Sequence, residues 1–249
     1  MTVDLYARTT SLQGFGGDEI EAYVAVPESV TGFGSVVVIH HMPGFDEATK
    51  ENTRRFAAHG YAAVCPNLYH REAPGAAADD AAATARALGG VPDERLVGDV
   101  AGAMSYLRSL PGSNGKVGVI GYCSGGRQSV LAACSLDLDA AVDCYGAFVT
   151  VDPPADRPFR FTSLVDKLPS LACPLLGLFG EEDQYPSPEQ TDDLQRRLDE
   201  LGKDFTRHSY PGAGHAFFAV DRPSYRPEVA TEAWGEIWEF FGRHLGSGK

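Results

Sequence analysis

The sequence predicts an α/β fold in which a mostly parallel central sheet is covered by helices on both faces. Short apolar runs of strand length alternate with longer amphipathic stretches along the whole chain. Some runs, such as SVVVIH at residues 35–40, are continuously apolar, as in strands buried on both faces. Alternation of this kind builds parallel sheets through crossover helices. No repeat or linker divides the 249 residues, so we predict a single domain over residues 1–249.

The predicted elements follow in chain order. Residues 5–11 and 19–26 are expected to form two strands joined by a hairpin turn at GFGG. A buried strand over 35–40, a helix over 46–59 ended by Gly60, and a strand over 61–65 come next. Helices are predicted over 76–87 and over 92–110, the latter between two prolines. The remainder is predicted to contain strands over 116–122, 174–179 and 205–210, helices over 124–133, 189–201 and 227–245, and a proline-rich loop over 151–159 at the edge or mouth of the sheet.

Composition and charge restrict the partners. The 21 basic and 34 acidic residues give a net charge of −13, which disfavours nucleic acid and anionic membrane surfaces as partners. No stretch has the pattern of a signal peptide or the length of a membrane span. The five cysteines are an odd number with no CxxC pair, which is typical of reduced thiols. We therefore expect a cytoplasmic protein that acts on a small molecule, and the oligomeric state stays open.

The segment GYCSGG places Cys123 at a turn between a predicted strand and a predicted helix. Gly121 and Gly125 provide the small neighbours that the G-x-nucleophile-x-G elbow of α/β-hydrolases requires, here with cysteine in place of serine. A helix N-terminus favours a thiolate, and the backbone N–H of Ser124 is placed to stabilise an oxyanion. The alternatives are a buried structural cysteine and a phosphate loop, but the GxxxxGK[ST] pattern is absent. We predict the α/β-hydrolase fold with Cys123 as nucleophile.

An elbow of this type needs an acid and a histidine further along the chain, each on a loop after a strand. Asp183 follows the predicted strand PLLGLF, with Glu181 and Glu182 as alternative acids. His215 follows the strand FTRHSY and a glycine-rich turn. These residues lie in the expected order of nucleophile, acid and base. Ordinary surface positions in turns are the alternative interpretation for both.

With these motifs identified, the chain resembles the dienelactone hydrolases (carboxymethylenebutenolidases), cysteine-using members of the α/β-hydrolase fold. The resemblance covers almost the whole chain through VVVIHHMPGFD, CPNLYHREAPG, SNGKVGVIGYCSGG, LFGEED and GAGHAFF. It implies a triad of Cys123, His215 and Asp183. It also implies a second oxyanion donor, the backbone N–H of Met42.

The resemblance further implies substrate-binding residues and shows two departures. Arg71 matches an arginine that binds the substrate carboxylate in the family, and Tyr145 lies near a site tyrosine. His41 replaces a family glutamate that partners the resting thiol, which implies a more readily formed thiolate. Ala219 replaces a second substrate arginine, for which Arg222 is a candidate substitute. These departures put the dienelactone substrate itself in doubt.

The predicted function is hydrolysis of a lactone or an activated carboxylic ester through an acyl-enzyme thioester. The alternatives are a broader carboxylesterase on the same fold, a non-catalytic ligand-binding member with a degenerate pocket, and, more distantly, an NAD-binding protein. His40 and His41 suggest a metal site, but consecutive residues on an extended chain point to opposite faces. We expect no metal and no cofactor.

Overall fold

The computed structural model describes residues 4–28, 30–156 and 159–246. Within these ranges eight strands form one sheet in the order β1-β2-β4-β3-β5-β6-β7-β8. Strand β2 is antiparallel to both β1 and β4, and the other neighbours are parallel. The strands are β1 (Leu5–Gln13), β2 (Glu19–Pro27), β3 (Phe33–Ile39), β4 (Ala62–Pro66), β5 (Ser113–Tyr122), β6 (Ala140–Cys144), β7 (Leu175–Gly180) and β8 (Phe205–Tyr210). The helices are α1 (Glu47–Ala58), α2 (Ala78–Ala87), α3 (Asp93–Ser109), α4 (Ser124–Ala133), α5 (Pro188–Glu200) and α6 (Pro227–Leu245).

The helices cover both faces of the sheet, as predicted. Along β3, Val37 and Ile39 pack into the core shared with α2, α3, α4 and α5. Val36 and Val38 point the other way, into the core shared with α1 and α6. Side chains alternate along a strand, so a continuously apolar run supplies both cores. Among the described residues, no helix is long and apolar enough to cross a membrane.

Among the strands of the described residues, β6 is the one that the sequence did not predict. It has five residues, AAVDC, and its apolar run is interrupted by Asp143. The other predicted strands and helices are present, with ends shifted by three residues or fewer. The hairpin turn at GFGG contains a short 3-10 helix, Phe15–Gly17. Within the predicted loop over 151–159, residues 157 and 158 lie outside the described ranges.

The parallel register brings the carboxyl ends of six strands, β3 to β8, to one edge of the sheet. Ile39 at the end of β3 pairs with Gly121 of β5, and Tyr122 pairs with Cys144 at the end of β6. Further along, Gly180 at the end of β7 pairs with Tyr210 at the end of β8. Loops that follow these strands therefore meet at the edge where α/β folds bind their ligands.

Candidate active site

Cys123 occupies a sharp turn between β5 and α4. Its φ angle of 57° lies in the left-handed region that non-glycine residues seldom adopt. A Cβ on Gly121 would lie 1.8 Å from the carbonyl oxygen of Gly125, and one on Gly125 would lie 2.5 Å from the carbonyl oxygen of Ile39. The backbone N–H of Cys123 donates to the Cys144 carbonyl of β6 at 3.0 Å. Glycine is therefore required on both sides of the cysteine because only backbone fits there.

Asp183 and His215 lie together on the loops after β7 and β8. The Nδ1 atom of His215 is 2.8 Å from Oδ2 of Asp183. The other carboxylate oxygen of Asp183 accepts the backbone N–H of Tyr185 at 2.9 Å, and the side chain is 2% exposed. Two hydrogen bonds thus hold the carboxylate in one orientation toward the imidazole.

The Cys123 side chain is near enough to the imidazole of His215 to favour its protonated form. Burial of the ring opposes protonation, but the effects of Asp183 and Cys123 outweigh it and raise the pKa of His215 to about 10. The structure therefore brings a cysteine, an imidazole and a buried carboxylate into one chain of contacts. An imidazole with this pKa is suited to hold a proton next to a sulfur anion.

The backbone around these side chains is strained at several points. Among the described residues, the non-glycine positions with positive φ are Cys123, Tyr145, Phe148 and Ala216. Tyr145 and Phe148 follow β6, and Ala216 is next to His215. Strain concentrated in one place is typical of functional sites, where the surrounding fold holds unfavourable conformations.

A cavity of about 520 Å³ opens above Cys123. Its wall includes Cys123, Ser124, Met42, Asp183 and His215. No described residue accepts a hydrogen bond from the backbone N–H of Met42 or Ser124. Aromatic side chains from the loops after β6 and β7 complete the wall: Phe148, Phe159, Phe161 and Tyr185. The cavity therefore combines polar groups around the sulfur with a large apolar surface.

Comparison with known proteins identifies the family. Residues 20–245 match the model of the dienelactone hydrolase family. The chain belongs to that family. A Yersinia pestis protein named "Putative carboxymethylenebutenolidase" is 33% identical over 233 residues, which cover 92% of this chain and 85% of that protein. The carboxymethylenebutenolidase of Pseudomonas putida is 30% identical and covers 90% of this chain and 91% of its own length.

Solved structures agree with this assignment. A Klebsiella pneumoniae structure titled as a "Putative Dienelactone Hydrolase" matches with a TM-score of 0.84 and 27% identity, over 96% of this chain and 99% of that one. The resemblance stated from the motifs is therefore confirmed, and so is the α/β-hydrolase fold. As a member of the dienelactone hydrolase family, the chain is a hydrolase of the kind that cleaves ester and lactone bonds.

Tyr145 lies beside the imidazole in this family member. Its ring is fully packed and its centroid is 5.2 Å from that of His215, in an edge arrangement. The Tyr145 side chain does not line the large cavity but a second, smaller one. Its position is that of a packing partner for His215 rather than of a substrate contact.

Arg71 was expected to bind a substrate carboxylate, and the geometry does not support that role. Its guanidinium group contacts both carboxylate oxygens of Asp99, at 2.9 and 3.0 Å, and Oδ2 of Asp18 at 2.8 Å. It is absent from the residues that line the large cavity. Asp99 is completely buried, so its charge needs this partner. Arg71 connects three segments of the fold instead.

His41 and Arg222 also lie away from the large cavity. The Nε2 atom of His41 is 2.6 Å from Oδ2 of Asp46, and the imidazole lines the smaller cavity together with Ala219. A carboxylate five residues further along the chain therefore holds the ring, and the expected position of His41 at the thiol stays a prediction. Arg222 is exposed, and neither cavity includes it in its wall.

Both ring nitrogens of the neighbouring histidine, His40, form hydrogen bonds with backbone groups. Its Nε2 accepts the Leu68 N–H at 3.2 Å, so Nδ1 donates to the His41 carbonyl at 2.9 Å. Burial lowers the pKa of His40 to about 4 and keeps the ring neutral. The two histidines therefore contact different partners, and the described residues contain no group of three or more side chains that could hold a metal.

Two arginines that the sequence analysis did not select line the large cavity. Arg127 is 3% exposed, pairs with both oxygens of Asp93 at 2.9 and 3.1 Å, and lies 4.2 Å from the ring centre of Phe161. Arg86 at the end of α2 is exposed, and its side chain has no hydrogen bond or ion pair with any described residue. Arg127 could have been found from the sequence because it lies one helical turn after Cys123.

Proposed function

We propose that this chain hydrolyses a lactone or an activated carboxylic ester, with Cys123 as nucleophile, His215 as general acid and base, and Asp183 as the group that orients the imidazole. The observation that supports it most directly is the contact chain from Asp183 through His215 to Cys123, at the floor of a cavity of about 520 Å³. Nucleophile, base and orienting acid within hydrogen-bond reach are the signature of nucleophilic acyl transfer.

The reaction has two halves. The Cys123 thiolate adds to the acyl carbon, and the negative charge that develops on the carbonyl oxygen is stabilised by the backbone N–H groups of Ser124 and Met42. The C–O bond of the ester then breaks, and the His215 imidazolium gives its proton to the departing oxygen. Water attacks the resulting thioester while His215 takes its proton, and the carboxylic acid and the Cys123 thiolate are released.

The cysteine narrows the substrate class. In the tetrahedral intermediate a thiolate leaves more readily than an ordinary alkoxide, so an alkyl ester tends to return to the starting state. An enol lactone or an aryl ester has a stabilised leaving group, so its tetrahedral intermediate expels that group and forms the thioester. The aromatic wall formed by Phe148, Phe159, Phe161 and Tyr185 suits a planar, unsaturated or aromatic substrate.

A broader carboxylesterase is the second candidate, and the position of Arg71 favours it. Arg71 and Arg222 lie outside the cavity, and Arg127 is already paired with Asp93. Arg86, at the cavity wall, is the arginine available for an anionic substrate group. A substrate without a carboxylate could bind the aromatic wall equally well. The five free cysteines agree with a reducing cytoplasm, which we propose as the location.

The function is tested by a panel of lactones and aryl esters with the wild-type protein and Cys123→Ala side by side. We expect hydrolysis by the wild type and a loss of about 10⁴-fold or more in the variant. Stoichiometric alkylation of Cys123 should abolish activity, whereas Ser124→Ala should keep most of it because only the backbone of Ser124 is used. Full activity of the alkylated protein would exclude the cysteine mechanism. Pairing each neutral ester with an anionic one of similar reactivity separates the two candidates.

A further inference from the structure

A second cavity, of about 210 Å³, adjoins the candidate active site. It lies between α1, α6 and the loop after β8, and the mechanism proposed above does not use it. Its wall is rich in aromatic rings, among them Tyr122, Tyr145, Phe218 and Trp234. The ring of Tyr145 belongs to this wall and also contacts His215, which lines the larger cavity.

The hydroxyl group of Tyr122 has no hydrogen-bond partner among the described residues. The side chain is 4% exposed and belongs to the cavity wall, but its oxygen is buried beneath neighbouring side chains. Buried hydroxyl groups are nearly always bonded to protein or ligand because leaving one unpaired costs free energy. A molecule that enters this cavity would reach this donor once a side chain of the wall moves aside.

Arg55 supplies a positive charge at the same wall. Its guanidinium group lies 4.8 Å from the ring centre of Trp234, and no described carboxylate is paired with it. Burial raises the pKa of Tyr122, and the charge of Arg55 acts against that rise, which indicates that the two groups share one electrostatic environment. The cavity also contains Glu51, but Arg54 holds that carboxylate at 2.8 Å.

We propose that this second cavity binds a small organic carboxylate with a planar apolar body. The carboxylate would accept hydrogen bonds from Arg55 and from the Tyr122 hydroxyl, and the body would pack among the aromatic rings. A dry cavity of about 150 Å³ is large enough for benzene, so a cavity of 210 Å³ admits a single-ring acid. Carboxylic acids are also the products of ester hydrolysis, so a product or a related acid could occupy the site. Such a ligand would contact the ring of Tyr145, and that ring in turn contacts the imidazole of His215.

The proposal is tested with benzoate as the probe and binding as the readout. The protein is first alkylated at Cys123, which obstructs the larger cavity, and benzoate is titrated by calorimetry and by the fluorescence of the stacked pair Trp234 and Trp238. We expect saturable binding of one benzoate, with an affinity about 10-fold lower or worse in Arg55→Gln and several-fold lower in Tyr122→Phe. Arg243→Gln removes the same charge from an exposed position on α6 and should bind benzoate like the wild type. Benzamide, which has the same shape without the charge, should not bind.

Three outcomes would overturn the proposal. The first is an absence of saturation in the millimolar range. The second is an unchanged affinity in both Arg55→Gln and Tyr122→Phe, the latter being a variant that keeps the buried ring. The third is loss of binding in Arg86→Gln alone, which would locate benzoate in the larger cavity. Because the readout is binding to alkylated protein, a failure of the proposed hydrolase function would leave this result interpretable.

Discussion

At the scale of single residues, the imidazole of His215 determines the chemistry available to the site. Its protonated form is favoured by Asp183 and by the Cys123 side chain against the opposing effect of burial, and its pKa is raised to about 10. The imidazolium form is therefore present at neutral pH and is lost as the pH rises through about 10. A general acid for the departing oxygen is available below that pH and missing above it.

Asp183→Asn should lower kcat/KM by about 10⁴-fold at neutral pH because the amide cannot hold the imidazole in the same protonated orientation. The alkaline limb of the pH–rate profile should also move to lower pH, since the carboxylate is one of the groups that raise the pKa of His215. The measurement is kcat/KM against pH for the wild type and the variant.

Glu182→Gln is the matched control for this prediction. Glu182 also lines the large cavity, but the bond to His215 comes from Asp183. The control variant should keep most of the activity and an unchanged alkaline limb. Equal losses in both variants would show that the general negative charge of the cavity matters rather than the bond to the imidazole.

At the scale of elements, helix α3 packs against the hairpin turn through a face made of glycine. A Cβ on Gly102 would lie 1.8 Å from the carbonyl oxygen of Gln13, and one on Gly98 would lie 2.6 Å from the Phe15 ring. Asp99, between them, accepts the backbone N–H of Phe15 at 2.8 Å. Close approach of helix and turn thus depends on residues that weaken the isolated helix by about 1 kcal/mol each.

Gly102→Ala and Gly235→Ala should change stability in opposite directions although both replace glycine inside a helix. Gly235 in α6 is exposed and a Cβ there meets nothing within 4 Å, so alanine should stabilise the protein by about 0.5–1 kcal/mol. At position 102 the collision with the backbone should destabilise it by about 1–3 kcal/mol. Urea unfolding of both variants checks this, and stabilisation of both would mean that the turn moves away from α3 without cost.

At the scale of the whole molecule, Arg71 joins parts of the chain that are far apart in sequence. Its partners are Asp18 in the hairpin turn and Asp99 on α3, 53 and 28 residues away. The carboxylate of Asp99 is completely buried, and the guanidinium group is its balancing charge. Breaking a buried pair of this kind leaves an uncompensated charge in the interior.

Arg71→Met should destabilise the protein by about 3–5 kcal/mol without changing the preference between anionic and neutral esters. In the double variant Arg71→Met/Asp99→Asn much of this loss should be recovered, because the buried charge is gone while an oxygen remains to accept the Phe15 N–H. Urea unfolding gives the stabilities, and kcat/KM for matched anionic and neutral esters gives the preference. A selective loss on anionic esters at unchanged stability would instead restore the role in substrate binding that the motif implied.

The sequence by itself determined the types of nearly all elements, the turn at Cys123 and the order of the residues around it. These features depend on local rules: apolar runs of strand length, helix boundaries at proline and glycine, and the small residues that a tight turn requires at Gly121 and Gly125. Strand β6 was missed because five residues with Asp143 among them carry too weak a local pattern. Its place in the sheet comes from parallel pairing with β5 and β7.

Only the tertiary structure decided which charged side chains face the cavities. Arg71 and His41 could each be assigned to the substrate from their motifs, but Asp99 and Asp46 hold them elsewhere. Arg86, which no motif singled out, lies at the cavity wall. A charged side chain goes to the partner that compensates its desolvation, and that partner is brought near by strand register and helix packing over tens of residues. The partner of a charged side chain therefore depends on the tertiary fold and cannot be predicted from a local sequence pattern.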